Sequence, residues 1–305
     1  IPIEQINFYP NKKHAKYIIL DKKIPKFEHV RFKGSDYKKG DLLISQGTIL
    51  QSNHILALKT LGIKKIKVKK KPNILFFSTG NEITNKDKIS DWEVRNSNCH
   101  YINSLNQNFL FNFKDGGILR DKQSNLFKSH INRMLKSKID LIITSGAVSA
   151  GKFDFVPSVV NNFKLSNYFK SVAIRPGKPV LFAKIKGKQK AIFGLPGNPI
   201  SSAACFRFFV YPYLRNLLGI KEETSFKATL KNEFIKKKNF TRFVKSKLST
   251  TKNGKLEVQI LNGQESFRIK SFIQSNIWVL LPSGKDKFKK GEIVDCFFPN
   301  QSNKI

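Results

Sequence analysis

The rhythm of apolar and polar positions changes twice along this chain, at Lys71-Pro72 and again near Lys221. Up to the first change, short runs alternate with turns. Lys16 to Leu20 reads as a β-like run, Gly34 to Asp36 and Lys39 to Asp41 as turns, and Leu42 to Ile44 as a further run. Asn53 to Leu61 reads as helix-like and Ile66 to Val68 as a strand. From Asn73, strands and helices alternate, the pattern of a parallel α/β sheet. Ile74 to Phe77, Gly117 to Leu119, Asp140 to Thr144, Ile174, Val180 to Ile185 and Ala191 to Phe193 are the expected strands. Asn98 to Phe111, with Ile102, Leu105 and Phe109 on one face, and Asn125 to Leu135 are the expected helices between them. Pro199 to Leu218 reads as one long apolar helix, started by its proline and stopped by Gly219. Beyond Lys221 the short β-like runs return: Phe226 to Leu230, Arg242 to Leu248, Leu256 to Ile260, Ile277 to Leu281 and Val294 to Phe298. Asn253-Gly254 supplies a hairpin turn among them. The expected organisation is therefore a partial mixed N-terminal domain (1–71), an α/β domain with a mostly parallel sheet and helices on both faces (72–220), and a small C-terminal β domain (221–305).

Composition narrows the class. Of 305 residues 40% are hydrophobic, enough for sizeable cores and too many for a disordered tail protein, and no run reaches the roughly 20 apolar residues of a membrane helix. The net charge is +35, carried by 47 lysines and only nine arginines, while 27 phenylalanines outnumber seven tyrosines and two tryptophans. Lysine in place of arginine and phenylalanine in place of other aromatics is what AT-rich coding produces, so a solvated lysine surface is expected ahead of polyanion affinity. Cys99, Cys205 and Cys296 are odd in number and form no C-x-x-C pair, which fits a reducing cytoplasm.

In open parallel sheets ligands bind beyond the carboxyl ends of the strands, where loops meet helix N-termini. Three Gly-containing loops occupy that position and are expected to converge on one crevice. The first is S-T-G-N-E (Ser78 to Glu82); Thr79 offers a hydroxyl, Gly80 a close backbone approach, and Glu82 a partner for a hydroxyl, a ring nitrogen or a hydrated cation, although a plain turn also accounts for it. The second, T-S-G-A-V-S-A-G-K-F-D (Thr144 to Asp154), strings Ser145, Gly146 and Ser149 before a helix as a nest for phosphate. Its closing Asp154 is either a ligand-side carboxylate or a simple cap. The third is L-P-G-N-P-I-S (Leu195 to Ser201), in which Pro196 and Pro199 stiffen the turn around Gly197 and Asn198. Beside it, R-P-G-K-P (Arg175 to Pro179) carries Arg175 and Lys178, and a planar arginine fork suits a phosphate or tetrahedral oxyanion.

No G-x-x-x-x-G-K-[ST], G-x-G-x-x-G or G-x-S-x-G motif occurs, and the five histidines show no ligand spacing. P-loop, dinucleotide-binding and serine-hydrolase readings therefore lack support. The loops favour positioning of a phosphorylated ligand with a divalent cation over covalent catalysis.

Taken in order, S-T-G-N-E, R-N-S-N (Arg95 to Asn98), T-S-G-A-V-S-A-G-K-F-D, R-P-G-K-P and L-P-G-N-P-I-S resemble the molybdopterin molybdenumtransferase family, which includes the E domain of gephyrin. The likeness extends to the Gly34-to-Leu50 segment and to the C-terminal Leu281-Pro282 and Lys290-Gly-Glu292. It implies that molybdate, as substrate, is inserted into adenylylated molybdopterin with release of AMP and with Mg²⁺ as cofactor. By position it implies catalytic roles for Asp36, Glu82, Asp121 and Asp154, with Asp121 and Asp154 on the metal. Pro196 and Pro199 also fall on positions the family links to function, and Ser149 and Asp154 match its positions near the adenylyl group. Arg175, Lys178, Ser201, Arg242 and Ser266 correspond to the family's oxyanion pocket. A cytoplasmic homodimer is implied, meeting the adenylyltransferase and acceptor molybdoenzymes, with neither a membrane nor a specific nucleic acid as partner.

The chain departs from the family in reading S-G-A at Ser145 to Ala147 for S-G-G, Lys152 for an acidic residue, and Arg120-Asp121 for Gly-Asp. Ile1 to Glu4 matches a point inside the family's N-terminal portion, so an N-terminal truncation is expected, and in the family that portion completes the partner's site. Three rival readings remain open at this stage. They are a molybdopterin adenylyltransferase, which shares the second loop but lacks the flanking domains, a scaffold that kept the fold without the activity, and a basic nucleic-acid binder with no recognisable module behind it.

Overall fold

Two units with unlike interiors make up the chain, Ile1–His54 and Ile55–Ile305. The computed structural model describes residues 1–105, 110–148 and 154–299. In the first unit a short 3₁₀ turn, Ile3–Gln5, is followed by the antiparallel pair β1 (Asn7–Tyr9) and β2 (Tyr17–Ile19). None of its residues is buried, and Tyr17, Ile18, Ile19 and Phe32 are exposed. Leu42 to Ile44, expected as a further run, pairs with nothing and forms no strand. Helix α1 (Ser52–Thr60) spans the boundary between the units.

The expected strand at Ile66 to Val68 is likewise absent; Ile66 and Val68 are exposed amid lysines, and without a neighbouring strand their main-chain groups gain nothing by extending. The α/β region begins at β3 (Asn73–Thr79) and continues through the short pair β4 (Ile83–Thr84) and β5 (Val94–Arg95), α2 (Ser97–Ser104), β6 (Asn112–Leu119) and α3 (Ser124–Leu135). Then come β7 (Leu141–Ser145), α4 (Phe155–Val160), β8 (Leu165–Phe169), β9 (Ile174–Arg175), β10 (Leu181–Ile185) and β11 (Ala191–Leu195). Helix α5 (Pro199–Cys205) passes through a π-helical turn, Phe206–Val210, into α6 (Tyr211–Leu217), so the single long helix expected here is continuous but not uniform.

The sheet has the order β6-β3-β7-β11-β10-β8, parallel through β11, with β10 antiparallel to both β11 and β8. Strands β7 and β11 are buried at every residue, as parallel strands covered on both faces must be. Alternate residues serve opposite faces. Leu75, Phe77, Ile142 and Ile192 pack with Phe127, Ile131 and Met134 of α3 and with Val156 and Val160 of α4. On the other face Phe193 meets Tyr213 of α6, and Phe169 of β8 meets Phe209 of the π turn. Helix α2 ends at Ser104, short of the expected Phe111, because Leu110 and Phe111 are buried in the approach to β6, where Phe111 meets Phe206. Phe109 lies outside the described residues.

The C-terminal strands are β12 (Phe226–Leu230), β13 (Phe234–Ile235), β14 (Thr241–Thr250), β15 (Leu256–Ile260), β16 (Ile277–Leu281), β17 (Lys287–Phe288) and β18 (Ile293–Phe297), with α7 (Ile269–Gln274) before β16. Strands β12, β18, β16, β14 and β15 pair in a ring that closes through β12 and β15, a barrel without free edges. Val244, Val258, Val279 and Leu281 fill it. Strand β9, from the α/β region, runs parallel to β14 with Arg175 opposite Arg242, and so joins the R-P-G-K-P turn to the barrel. Helix α7 carries no apolar stripe to read, since Ser271 is its only buried residue.

Candidate functional site

Strand register brings the loops together. Ser78 of β3 lies opposite Ser145 of β7, Ser145 opposite Leu195 of β11, and Thr79 opposite Leu119 of β6. Four strands thus end level, and since β6 and β7 flank β3 on opposite sides, this end is the topological switch point. A cavity of about 570 Å³ opens there, in the range that holds a nucleotide-sized ligand. All three loops line it, through Thr79, Gly80 and Glu82, through Ser145, Gly146 and Asp154, and through Pro196, Gly197, Asn198 and Pro199. Asp121, after β6, adds a further carboxylate to the same wall.

Hydrogen bonds fix the loops to one another. Thr79 Oγ1 donates to the Ser145 carbonyl at 3.0 Å, Ser145 Oγ to the Pro196 carbonyl at 3.2 Å, and the Gly146 amide to the Leu195 carbonyl at 2.8 Å. Asn98 Nδ2, in the first turn of α2, donates to Ser145 Oγ and to the Gly197 carbonyl, both at 2.7 Å. Buried Asn96 accepts from Ser78 Oγ. Arg120 Nη1 reaches three carbonyls of the first loop, Gly80 at 3.1 Å and Asn81 and Ile83 at 2.9 Å. The Asp121 amide donates to Asn81 Oδ1 at 3.3 Å, so Arg120-Asp121 and the Glu82 loop move as one piece.

Backbone conformation explains the glycine at the heart of the second loop. Gly146 has φ 103°, and a Cβ there would lie 2.5 Å from Thr79 Oγ1 and 2.6 Å from the Thr79 carbonyl oxygen. The next residue, Ala147, also has positive φ, 53°, a conformation that costs an L-residue roughly 1–2 kcal/mol. A second glycine would relieve that strain.

A second group of predicted residues gathers at the seam between the α/β region and the barrel. Arg175 and Arg242 sit side by side on β9 and β14, Arg175 over the Phe240 ring and Arg242 over that of Phe234. Burial, and then the neighbouring Arg175 charge, lower the pKa of Arg242 below the ordinary arginine value, while Glu265 opposes them. Two guanidinium groups held in register form a natural seat for a tetrahedral dianion. The Ser266 carbonyl accepts from the Ile200 amide at 3.2 Å, which sets Ser266 beside Ser201 at the start of α5. A Cβ on Gly177 would lie 2.4 Å from Cys205 Sγ, so the R-P-G-K-P turn rests directly on α5. Lys178 is exposed on that turn, and the following Pro179 reaches the cavity wall.

The structure therefore assembles the expected residues in two neighbouring places, the cavity and the arginine seam. Ser149 lies outside the described residues, as do Gly151 and Lys152 of the same loop. Asp36 is an exposed residue of the first unit. No cluster of three or more His, Cys, Asp or Glu suited to a metal occurs among the described residues, so any cation in the cavity depends on Asp121, Asp154 and Glu82 with water and ligand oxygens. Cys99, Cys205 and Cys296 are buried free thiols whose pKa burial raises, for Cys99 and Cys296 to about 12, which removes them as nucleophiles. Among the described residues no helix is long and apolar enough to cross a membrane. The organising roles of Asn98 and Arg120 were not foreseen from sequence, although Asn98 lay within R-N-S-N and Arg120 is one of nine arginines.

Comparison with known proteins agrees with this geometry. Residues 76–216 match the family described as "Probable molybdopterin binding domain", and residues 227–297 match "MoeA C-terminal region (domain IV)". The molybdopterin molybdenumtransferase of Staphylococcus epidermidis (strain RP62A) is 32% identical over 288 residues, covering 93% of this chain and 67% of the relative. The chain belongs to the molybdopterin molybdenumtransferase family. The Staphylococcus aureus (strain COL) member is also 32% identical, over 90% of this chain and 65% of its own length, so the chain spans about two thirds of these relatives. Among solved structures, a molybdopterin biosynthesis MoeA protein from Pyrococcus horikoshii superposes with a TM-score of 0.74 at 26% identity, covering 98% of this chain and 71% of that one. The molybdenumtransferase architecture, an α/β molybdopterin-binding domain followed by a β-barrel domain, is thus present here.

Proposed function

We propose that this chain carries the chemistry of its family, inserting molybdate as substrate into adenylylated molybdopterin with loss of AMP. The observation that carries the reading is the convergence of loops from β3, β6, β7 and β11 on one cavity, with the Arg175–Arg242 pair beside it. The adenylyl phosphate would sit against the Gly146 and Gly197 turns, where the lack of a side chain lets an anion approach the backbone closely. Asp121 and Asp154 would hold Mg²⁺, which supplies charge neutralisation at the phosphate as adenylate leaves. Glu82, kept in place through Arg120, is set to hold a hydroxyl or ring nitrogen of the ligand. Arg175 and Arg242, with Lys178, Ser201 and Ser266 around them, would orient molybdate, since fixed donors select a tetrahedral dianion better than diffuse charge does.

The first unit supports a homodimer. A segment with no buried residue and with Tyr17, Ile18, Ile19 and Phe32 exposed lacks a core of its own, and a second copy would supply one. Asp36, on that unit, belongs to this part of the reading. In this reading the chain works in the cytoplasm, between the adenylyltransferase that supplies its substrate and the molybdoenzymes that accept its product.

Calorimetry tests the reading. AMP and adenylylated molybdopterin should bind more tightly than tripolyphosphate of equal or higher charge, and Mg²⁺ should strengthen AMP binding in the wild type but not in Asp154→Asn. Equal affinity for all three ligands, with a steep salt dependence and no Mg²⁺ effect, would show a non-specific lysine surface instead.

A further inference from the structure

Strand β14 buries a lysine on the outer face of the barrel, where it pairs with Trp278 while the adjacent Val244 faces the interior. Lys245 lies between Val244 and Ser246, is 1% exposed, and is among the largest fully buried side chains of the protein. Its Nζ donates to the carbonyls of Gly263 at 2.7 Å, Arg268 at 3.0 Å and Glu265 at 3.3 Å. An ammonium has three donors, and here three carbonyls of one loop use them. The main chain of Lys245 holds the same loop, its amide donating to Gln264 Oε1 at 3.0 Å and its carbonyl accepting from Gln264 Nε2 at 2.8 Å. That loop contains Ser266, whose carbonyl meets the Ile200 amide of α5.

We propose that Lys245 is a positioning residue for the oxyanion pocket, winding the Gly263–Arg268 loop around its ammonium so that Ser266 is set against α5 and one more positive charge stands behind the Arg175–Arg242 pair. The proposal rests on the reading of that pair as the molybdate seat. A buried ammonium is a poor choice for a merely structural tie, because an apolar side chain under the same loop would avoid the loss of hydration. The charged groups around it are Glu265 and Arg268 on the loop and Arg242 on β14, with Arg175 of β9 beside Arg242. Burial is the main cause that brings the Lys245 pKa down from the ordinary lysine range to about 8, Glu265 acting against it and the two arginines with it. The sign follows. Below about pH 8 the side chain is charged, all three donors are in use and the pocket has its full field. Above that pH one donor and the charge are lost together, so dianion affinity falls as pH rises.

The experiment is calorimetric titration of sodium molybdate into the wild-type chain, Lys245→Met and Arg242→Ala between pH 6.5 and 9.5 at constant ionic strength. The wild type should hold a constant affinity up to about pH 7.5 and lose roughly three- to tenfold by pH 9, one linked proton allowing at most tenfold per unit. Lys245→Met should bind at the weakened level throughout, with no pH step. A wild-type affinity that is flat from pH 7 to 9 overturns the proposal, and does so even if Lys245→Met does not fold. A step retained in Lys245→Met overturns it as well. Arg242→Ala separates the two readings: molybdate binding lost in that variant, together with a flat wild-type profile, leaves the pocket standing and removes only Lys245, whereas binding unchanged in Arg242→Ala refutes the pocket itself.

Discussion

Arg120 follows β6, and one of its nitrogens serves three carbonyls of the Glu82 loop. A guanidinium nitrogen has two protons for those three acceptors, whereas a lysine ammonium has three. Arg120→Lys should therefore keep most of the affinity for AMP. Arg120→Ala should lose about 1–2 kcal/mol of stability from charge-assisted bonds that are partly open to water, and several-fold in AMP affinity as Glu82 and Asp121 drift. Urea unfolding and calorimetry on both variants would decide it, and an alanine variant that binds AMP like the wild type would mean that the loop holds itself. What sequence revealed at this scale was what a single position must do alone. Gly146 announces a backbone requirement locally, its positive φ and the close Thr79 leaving no room for a side chain. Asn98 and Lys245 act through bonds to groups distant in sequence, Gly197 for one and the loop beyond Gly263 for the other, and nothing in the neighbouring residues marks them.

At the scale of elements, burial decided what was legible. Strands β3, β7 and β11 are continuous apolar runs, so their positions and type were evident. Strand β8 is half-exposed at the antiparallel edge and α7 buries only Ser271, and neither has a periodic apolar signal. The short strand β9 was legible only as Ile174, because its pairing partner β14 lies in another domain. Helix α2 shows how an element serves the site by its end. Its Asn98 spans from Ser145 to Gly197 and so locks the second loop to the third. Asn98→Ala should leave two acceptors without their shared donor and lower stability by about 1–2 kcal/mol. It should also reduce AMP affinity, with little change at the arginine seam. The check is a pair of titrations, AMP and molybdate, on the one variant. A fall in molybdate affinity as large as that for AMP would show that α2 supports both places, contrary to this account.

Over the whole molecule, the question raised by a net charge of +35 is whether anion capture is a property of the surface or of one place. A lysine surface acts through a field that salt screens within about 8 Å at physiological ionic strength, and each charge in it contributes little. The Arg175–Arg242 pair acts through fixed geometry, with Arg242 half-buried and less exposed to screening. The two accounts separate with two substitutions on one hairpin. Arg242 stands near the start of β14, and Lys252 stands exposed in the turn beyond its end, roughly 25 Å away along the strand. Each substitution to alanine removes one positive charge. If place matters, Arg242→Ala should weaken molybdate binding by about ten- to hundred-fold, the loss of a charge-assisted bond of about 1.5–3 kcal/mol, while AMP affinity stays nearly unchanged. Lys252→Ala should change neither ligand measurably. Raising the salt concentration should separate the accounts again, since binding at a fixed pair survives 0.3 M salt far better than binding to a diffuse field does. Equal losses from both substitutions, vanishing together with added salt, would assign anion capture to the surface and leave the arginine pair without a special part in it.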